Sequence, residues 1–272
     1  MILKLALQLI LGTVLSALVS FLAYRFKLLT SDGASASFLL GAIIFGTGGF
    51  GFALPLLFFF FSSSLLSRYK SGQKIKYKDA FEKTGARDKN QVMANGVIAG
   101  ILAFIYFLFP SSSIYFAYLA CLATVNADTW GTEIGILSKA EPISLRGFKR
   151  VSPGSSGGIS LMGTASSFFG SFSLVLAGFL PGISPVSFKL EFFLIIVIAG
   201  FLGSFIDSLL GAFLQAQYLC PICNKSTERK THCNFDTKKV SGISWLNNDW
   251  VNFLSSISGI FLFFLLRKIC GN

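Results

Sequence analysis

Residues 34–67 read ASASFLLGAIIFGTGGFGFALPLLFFFFSSSLLS, an unbroken stretch without a charged side chain. A helix rises about 1.5 Å per residue and a bilayer core is about 30 Å thick, so roughly 20 apolar residues cross once. The stretch is too long for one span and short for two. Its middle holds Gly46, Gly48, Gly49 and Gly51, and glycine tolerates backbone conformations closed to other residues. It therefore reads either as two tilted spans, about 34–48 and 51–67, or as one broken, re-entrant pair.

Working outward, further apolar runs fall at about 3–24, 92–109, 112–126, 158–180, 190–214 and 250–267. No small-residue cleavage site follows a short apolar core in the first run, so it reads as a span and not as a signal peptide. Charge decides between the two readings of 34–67. With eight crossings, the connectors on one side collect the basic residues of 25–27, 68–89, 139–150 and 225–239, which number 19. The other side has Lys4, Lys189, Arg267 and Lys268, only 4. The positive-inside rule predicts such an asymmetry, and seven crossings would put large basic loops on both faces. The expectation is an all-α polytopic membrane protein with about eight transmembrane helices, six at the fewest. Both termini are expected on the non-cytoplasmic side, with one transmembrane domain over 1–272 and cytoplasmic loops at 68–91, 127–157 and 215–249.

Composition agrees. Of 272 residues, 53% are hydrophobic and 13% charged, with 31 Phe, where a soluble domain carries about a quarter charged. That excludes an ordinary soluble globule and a disordered chain, and five Cys are too few for a disulfide scaffold. The net charge of +11 would suggest nucleic acid in a soluble protein. Here the orientation rule and anionic substrates explain it, so no nucleic-acid partner is expected. The lack of a transit peptide points to a bacterial-type inner membrane.

Charges inside or at the mouths of spans are costly and therefore functional candidates. Asn126-Ala-Asp128-Thr129-Trp-Gly-Thr132-Glu133 follows an apolar run. Its carboxylates and hydroxyls are hard oxygen ligands suited to Mg²⁺, or else a helix-end capping cluster. Asp128 and Glu133 would lie about 140° apart on a helix, so a break near Gly131 would be needed to bring them together. The loop Ser152-Pro-Gly154-Ser-Ser156-Gly157-Gly158-Ile-Ser160 comes after Arg146, Lys149 and Arg150 and before an apolar helix. Such a loop lets backbone N–H groups and a helix N-terminus approach an anion, although it lacks the ending of a Walker A motif. Gly203-Ser-Phe-Ile-Asp207-Ser208-Leu-Leu-Gly211 places a carboxylate within a span, where it needs a cation, a metal or a hydrogen-bond network. Trp245-Leu-Asn247-Asn248-Asp249-Trp-Val-Asn252 gathers polar side chains before the last span, as metal or nucleotide contacts or as a cap. Arg87, Gln91 and Asn95 recur at helical spacing and form a polar stripe running into the membrane.

Cys220-Pro-Ile-Cys223 precedes His232-Cys233, a residue set that suits tetrahedral Zn²⁺. The adjacent His-Cys pair needs a bent backbone to reach one metal. Structural zinc, free thiols and redox use all remain open on the sequence.

These motifs, in this order and together with Glu82-Lys-x-Gly-x-Arg-Asp and Gln91-Val-x-Ala-Asn-Gly, resemble the integral-membrane family of transmembrane protein 19 and the plant phytyl-phosphate kinase. The resemblance covers nearly the whole chain. It implies transfer of a phosphoryl group from a nucleoside triphosphate such as CTP to an isoprenyl monophosphate, with Mg²⁺. It assigns Asp128, Glu133, Asp207 and Asp249 to the metal and nucleotide, and Arg87, Arg146, Lys149 and Gly154–Ser160 to phosphates. Gln91, Asn95, Asn126, Thr129, Ser208, Asn248 and Asn252 are further polar-site candidates. The membrane lipid and the nucleotide are the partners implied. Two other readings use the same residues: a nucleotidyltransferase forming a CDP-lipid, and a transporter or flippase of a phosphorylated lipid or anion.

Overall fold

Gly49 decides how residues 34–67 fold. The computed structural model describes residues 2–271. In it, helix α1 (Ile2–Arg25) is followed by one helical stretch, α2 (Ser31–Arg68), inside which Gly49 adopts φ 63° and ψ −162°. Glycine alone takes that conformation at low cost, and it turns the chain back on itself. Thr30 at the start of α2 donates its N–H to the Arg87 carbonyl at 3.1 Å. The Arg87 guanidinium reaches Ser64 Oγ near the end of α2 at 3.4 Å. Both ends of α2 therefore meet one residue, while its middle meets Gln8, whose Nε2 donates to Gly46 O at 2.9 Å.

The hairpin is full-length, not re-entrant. After the short helix α3 (Ser71–Lys74) and a 3₁₀ turn at Ile75–Tyr77 come α4 (Lys89–Leu108) and α5 (Ser112–Gly135). The returning arm of α2 runs along α5 from one end to the other. Tyr115 in the first turn of α5 donates its hydroxyl to Gly51 O at 3.0 Å, and Ser67 donates to Glu133 near the far end at 2.5 Å. Pro55 explains the first contact. It has no N–H to give the Gly51 carbonyl four residues back, so that carbonyl takes its hydrogen bond from Tyr115 instead.

The chain continues through β1 (Ile143–Ser144), paired antiparallel with β2 (Gly158–Ile159), and helices α6 (Leu161–Gly178) and α7 (Leu190–Phe213). Five short strands follow: β3 (Gln217–Leu219), β4 (Ser226–Thr227), β5 (Thr231–His232), β6 (Phe235–Asp236) and β7 (Lys238–Ser241). Helix α8 (Asn248–Ile269) closes the chain. Caps set several starts: Thr30, Asp88, Ser111, Ser160 and Asn247 each accept an N–H from the first turn they precede.

Six helices are long and apolar enough to cross a membrane. Counting the two arms of α2 separately and adding α5 gives eight long helical segments among the described residues. α5 carries two carboxylates, and its stretch Tyr115–Ala127 is buried without interruption, since α2, α4, α6, α7 and α8 surround it. A helix buried on every side is the hub of a bundle. Close approach comes from small residues: side chains at Gly203 of α7 or Gly259 of α8 would collide with Thr124 of α5. The outer faces are apolar, as at Ile10, Phe169 and Phe261, which are all exposed.

All the long basic connectors gather at the end where Arg68, Arg87 and Glu133 lie, hereafter the basic end. One boundary needs correction. The expected loop 127–157 is helical as far as Gly135. The apolar run stops at Val125 because the last turns of α5 face a polar cavity instead of lipid.

Candidate functional site

A cavity of about 140 Å³ opens between α5, α6 and α7 near the basic end, room for several water molecules or a small polar group. α5 contributes Asp128, Gly131, Thr132 and Gly135, and α7 contributes Ser204, Asp207, Ser208 and Gly211. Both sets follow i, i+3, i+4, i+7 spacing, one helix face each. The N-terminus of α6 supplies Ser160, Gly163 and Thr164, and the loop 153–158 forms a third wall. Phe81, Glu228 and Asn248 complete it.

The loop fits because glycine lets it. Gly157 has φ 71°, and a Cβ there would sit 2.3 Å from the Ala212 Cβ, so only a bare backbone packs against the end of α7. Ser156 donates to Glu228 Oε1 at 2.5 Å, and the Glu82 N–H reaches Glu228 Oε2 at 3.1 Å. Burial pushes the Glu228 carboxyl above the usual carboxylate range, against the Ser156 hydrogen bond, which lowers it. Burial likewise raises the neighbouring Glu82.

The charge pattern is one-sided. Asp128 and Asp207 meet within hydrogen-bond reach of each other. Buried Asp207 has one oxygen, Oδ2, without a hydrogen-bond partner, as has Gln215 Nε2 beside the cavity. Asp128, Asp207 and Glu228 line the space, and no Lys or Arg does among the described residues. Adjacent carboxylates in a poorly solvated site repel unless a shared proton or a cation joins them. The donor set, all hard oxygens, fits Mg²⁺.

A family model for integral membrane protein DUF92 matches residues 14–260. The chain belongs to that family. Protein PGR of Arabidopsis thaliana is 32% identical, over 94% of each chain. An uncharacterized membrane protein of Methanocaldococcus jannaschii is 29% identical, over 80% of this chain and 84% of its own. Protein VTE6, chloroplastic, of Arabidopsis thaliana is 24% identical, over 88% of this chain and 66% of its own. No solved structure matches. The protein is thus a multi-pass integral membrane protein of the DUF92 family.

In this DUF92 chain several residues singled out by sequence stand apart from the cavity. Glu133 does not join Asp128. α5 continues unbroken past Gly131, so the 140° offset holds, and Glu133 pairs with Lys74 at 2.6 Å on the opposite side. Asp249 is held by Lys83 at 2.6 Å, and Lys83 also pairs with Asp88 at 2.8 Å. Asn126 is a bracket between helices, donating to Gly170 O at 2.7 Å and accepting from Ser62 at 3.2 Å. Thr129 donates to the Val125 carbonyl of its own helix. Asn252 gives its carbonyl to Ser255 and lies off the cavity. Arg146 and Lys149 are exposed on the β1–β2 connection, so adjacency in sequence to the Gly154–Ser160 loop does not carry them inside.

The Arg87 stripe does share one face, but it faces a different cavity. Arg87, Gln91 and Asn95 line a smaller space between α1, α2 and α4 with Ser16, Leu40 and Phe45. Arg87 also lies over the Phe59 ring. Thr132, whose hydroxyl the sequence motif already offered, lines the main cavity, as do Thr164, Ser204, Gln215 and Glu228, which the sequence did not single out. Helical spacing from Asp128 and Asp207 leads to Thr132 and Ser204. Nothing local points to Glu228, which sits among lysines and arginines.

Cys220, Cys223, His232 and Cys233 come together, all four ligand atoms lying within 4.8 Å of one another. The Cys220 thiol is drawn down to about 6, first by the Cys223 backbone N–H, whereas burial pushes Cys233 up to about 11.

Proposed function

We propose that this protein is a membrane kinase that converts an isoprenyl monophosphate, of the phytyl or geranylgeranyl kind, to its diphosphate, with a nucleoside triphosphate such as CTP as donor. The observation that carries the reading is the main cavity, in which Asp128 and Asp207, adjacent to each other and without a cationic partner, face a glycine loop and the start of α6. The motif resemblance supplies the substrate class.

A phosphate cannot enter a cavity lined by three carboxylates and no cationic side chain unless something offsets the charge. Asp128 and Asp207 would hold Mg²⁺, with Glu228 at its margin, and the orphaned Asp207 oxygen is the ligand position the protein leaves free. Bound there, Mg²⁺ supplies charge neutralisation for the transferred phosphoryl group. The N-terminus of α6, capped by Ser160, presents the positive end of its dipole to the same space. Thr132, Thr164 and Ser208 offer hydroxyl donors to phosphate oxygens.

The acceptor needs no base, since a prenyl monophosphate is already anionic near pH 7. Its phosphate oxygen attacks the γ-phosphorus, the bond from that phosphorus to the β–γ bridging oxygen breaks, and the nucleoside diphosphate leaves with the electron pair. The protein's task is then alignment and exclusion of water. The cavity's position suits a lipid acceptor, because the prenyl tail can stay among the apolar helix faces while the headgroup reaches the basic end. The positive-inside rule puts that end toward the cytoplasm, where the nucleotide is found. Arg146, Lys149 and Arg150 sit on the hairpin whose Pro142 and Ile159 line the cavity, and attract the nucleotide without touching its final position.

The test uses detergent-purified protein, geranylgeranyl phosphate or phytyl phosphate, Mg²⁺ and CTP labelled in the γ-phosphate. Labelled prenyl diphosphate and CDP are expected. A CDP-lipid with released pyrophosphate would mean nucleotidyl transfer, and substrate binding without turnover would mean transport. Either result overturns the kinase reading.

A further inference from the structure

The segment between α7 and α8 carries a second piece of chemistry. Cys220-Pro-Ile-Cys223 lies in the turn joining β3 to β4, and Cys233-Asn234 joins β5 to β6. The Cys223 and Cys233 sulfurs stand 3.5 Å and 3.2 Å from His232 Nδ1. Zinc bonds of about 2.3 Å to sulfur and 2.0–2.1 Å to nitrogen, at tetrahedral angles, give S···N edges of about 3.6 Å and S···S edges of about 3.8 Å. The four ligand atoms, none more than 4.8 Å from another, already outline a polyhedron of that size.

The backbone supplies the bend that an adjacent His-Cys pair requires. Cys233 and Asn234 have φ of 52° and 61°, consecutive left-handed residues of the kind that make a two-residue hairpin turn. His232 is thus the last residue of β5 and Cys233 the first of the turn, so both side chains can point at one centre. The outer ring nitrogen has its own partner. His232 Nε2 faces Asp79 Oδ2 at 3.8 Å, longer than a hydrogen bond but on the side from which carboxylates orient imidazole ligands of metals.

What this knot holds in place is the wall of the cavity. Thr227 Oγ1 donates to Asp79 O at 2.6 Å, the Glu228 N–H to Ala80 O at 3.0 Å, and Arg229 Nε to Phe81 O at 2.9 Å. These bonds stitch the strap 217–241 to the loop after α3, and Glu228 reaches the cavity from the middle of that seam.

We propose that Cys220, Cys223, Cys233 and His232 Nδ1 bind one Zn²⁺, with Asp79 as a positioning residue behind the histidine, and that the ion fixes the strap that delivers Glu228 to the cavity. The zinc site stands whether or not the cavity transfers phosphoryl groups, because its test needs no substrate. The whole protein, purified in detergent under reducing conditions with trace zinc, is examined by metal analysis and X-ray absorption. About one zinc per chain with three sulfur and one nitrogen ligands is expected. Cys223→Ser should lose most of that zinc with the helical circular dichroism intact, whereas Cys121→Ser, at a buried thiol in α5, should keep it. Asp79→Asn should retain the ion but release it to a chelator at about 10- to 100-fold lower competitor concentration. Chelation should also open the strap to trypsin at its lysines. Wild-type protein with negligible zinc, a shell without sulfur, a disulfide within the cluster, or zinc content unchanged by Cys223→Ser would overturn the proposal. The wild-type measurements decide even if a variant fails to fold.

Discussion

Asp128 and Glu133 stand on the same helix, in the same polar motif, a little more than one turn apart, and their surroundings are opposite. Glu133 faces Lys74, Ser67 and the end of α2, and its charge is matched at 2.6 Å. Asp128 meets Asp207 at the wall of a cavity without a cationic side chain. A carboxylate with a counter-ion has its charge accounted for by the fold. Two carboxylates side by side, one carrying a buried and unpartnered oxygen, leave a charge that only something from outside can balance. The comparison teaches that an acidic residue in a membrane motif becomes a site candidate through the absence of a partner, not through its type.

The strongest way to break this comparison is to neutralise the unmatched face. Asp128→Asn and Asp207→Asn should each lower turnover of prenyl phosphate by at least about 1,000-fold, since phosphoryl transfer rests on charge neutralisation. Both variants should also lose the electron-spin-resonance signal of Mn²⁺ bound in place of Mg²⁺, while remaining monodisperse in detergent. Retained Mn²⁺ binding in both would show that the carboxylates do not hold the ion.

Glu228 sharpens the comparison, because it touches both worlds: it lines the cavity, yet accepts from Ser156 and the Glu82 N–H. Glu228→Gln should reduce turnover about tenfold and raise the Mg²⁺ concentration needed for half-maximal rate. Stability should move the other way. Burial raises the Glu228 pKa in the folded protein, so the folded state favours the proton. That preference costs nothing below the unfolded value, and the cost grows as pH rises through and beyond it. The variant should therefore melt above wild type at pH 7.5, with the difference shrinking toward pH 4.5. A gap independent of pH would remove this carboxyl from the account.

Much of this arrangement was legible in the chain before its shape was known. Eight runs, the glycine reversal and the basic asymmetry follow from length and charge, which the bilayer constrains tightly. Asp207 stands out in a helix of Phe, Leu and Ile, where any carboxylate is anomalous. The errors have one physical source: sequence gives which residues are polar but not which way a helix face points. Asp128 and Glu133 share a site only if the helix breaks near Gly131, and α5 runs unbroken to Gly135. The Arg87–Asn95 stripe was correctly spaced, but the α2 hairpin occupies the space between it and the main cavity. Glu228 left no trace because its position depends on a strap of short strands held by long-range bonds to residues 79–82.

A third test addresses cations near the site but outside it. Arg146 and Lys149 are exposed on the β1–β2 connection, where they would act on the nucleotide at a distance. Replacing both with Ala should raise the KM for the nucleotide about threefold to fivefold at low salt and leave kcat unchanged. At 0.5 M salt the effect should vanish, because screening shortens the reach of surface charges to a few ångströms. A loss of kcat that persists in high salt would mean that one of them enters the site.

The smallest effect on turnover belongs to the matched face, and it tests the comparison most directly. In Glu133→Gln, Lys74, which is only 10% exposed at its side chain, loses its counter-charge but keeps its bond to the Leu66 carbonyl at 2.7 Å. Leaving a buried charge without its partner costs about 3–5 kcal/mol, so the melting temperature should fall by several degrees. Turnover per folded molecule should stay within about twofold of wild type, because nothing on that side of α5 touches the cavity. Lys74→Met with Glu133→Leu should recover most of the stability, since replacing a buried ion pair as a unit leaves no charge stranded. If Glu133→Gln instead stops turnover as completely as Asp207→Asn while the protein remains folded, the two faces of α5 serve one site, and the division between matched and unmatched charge falls.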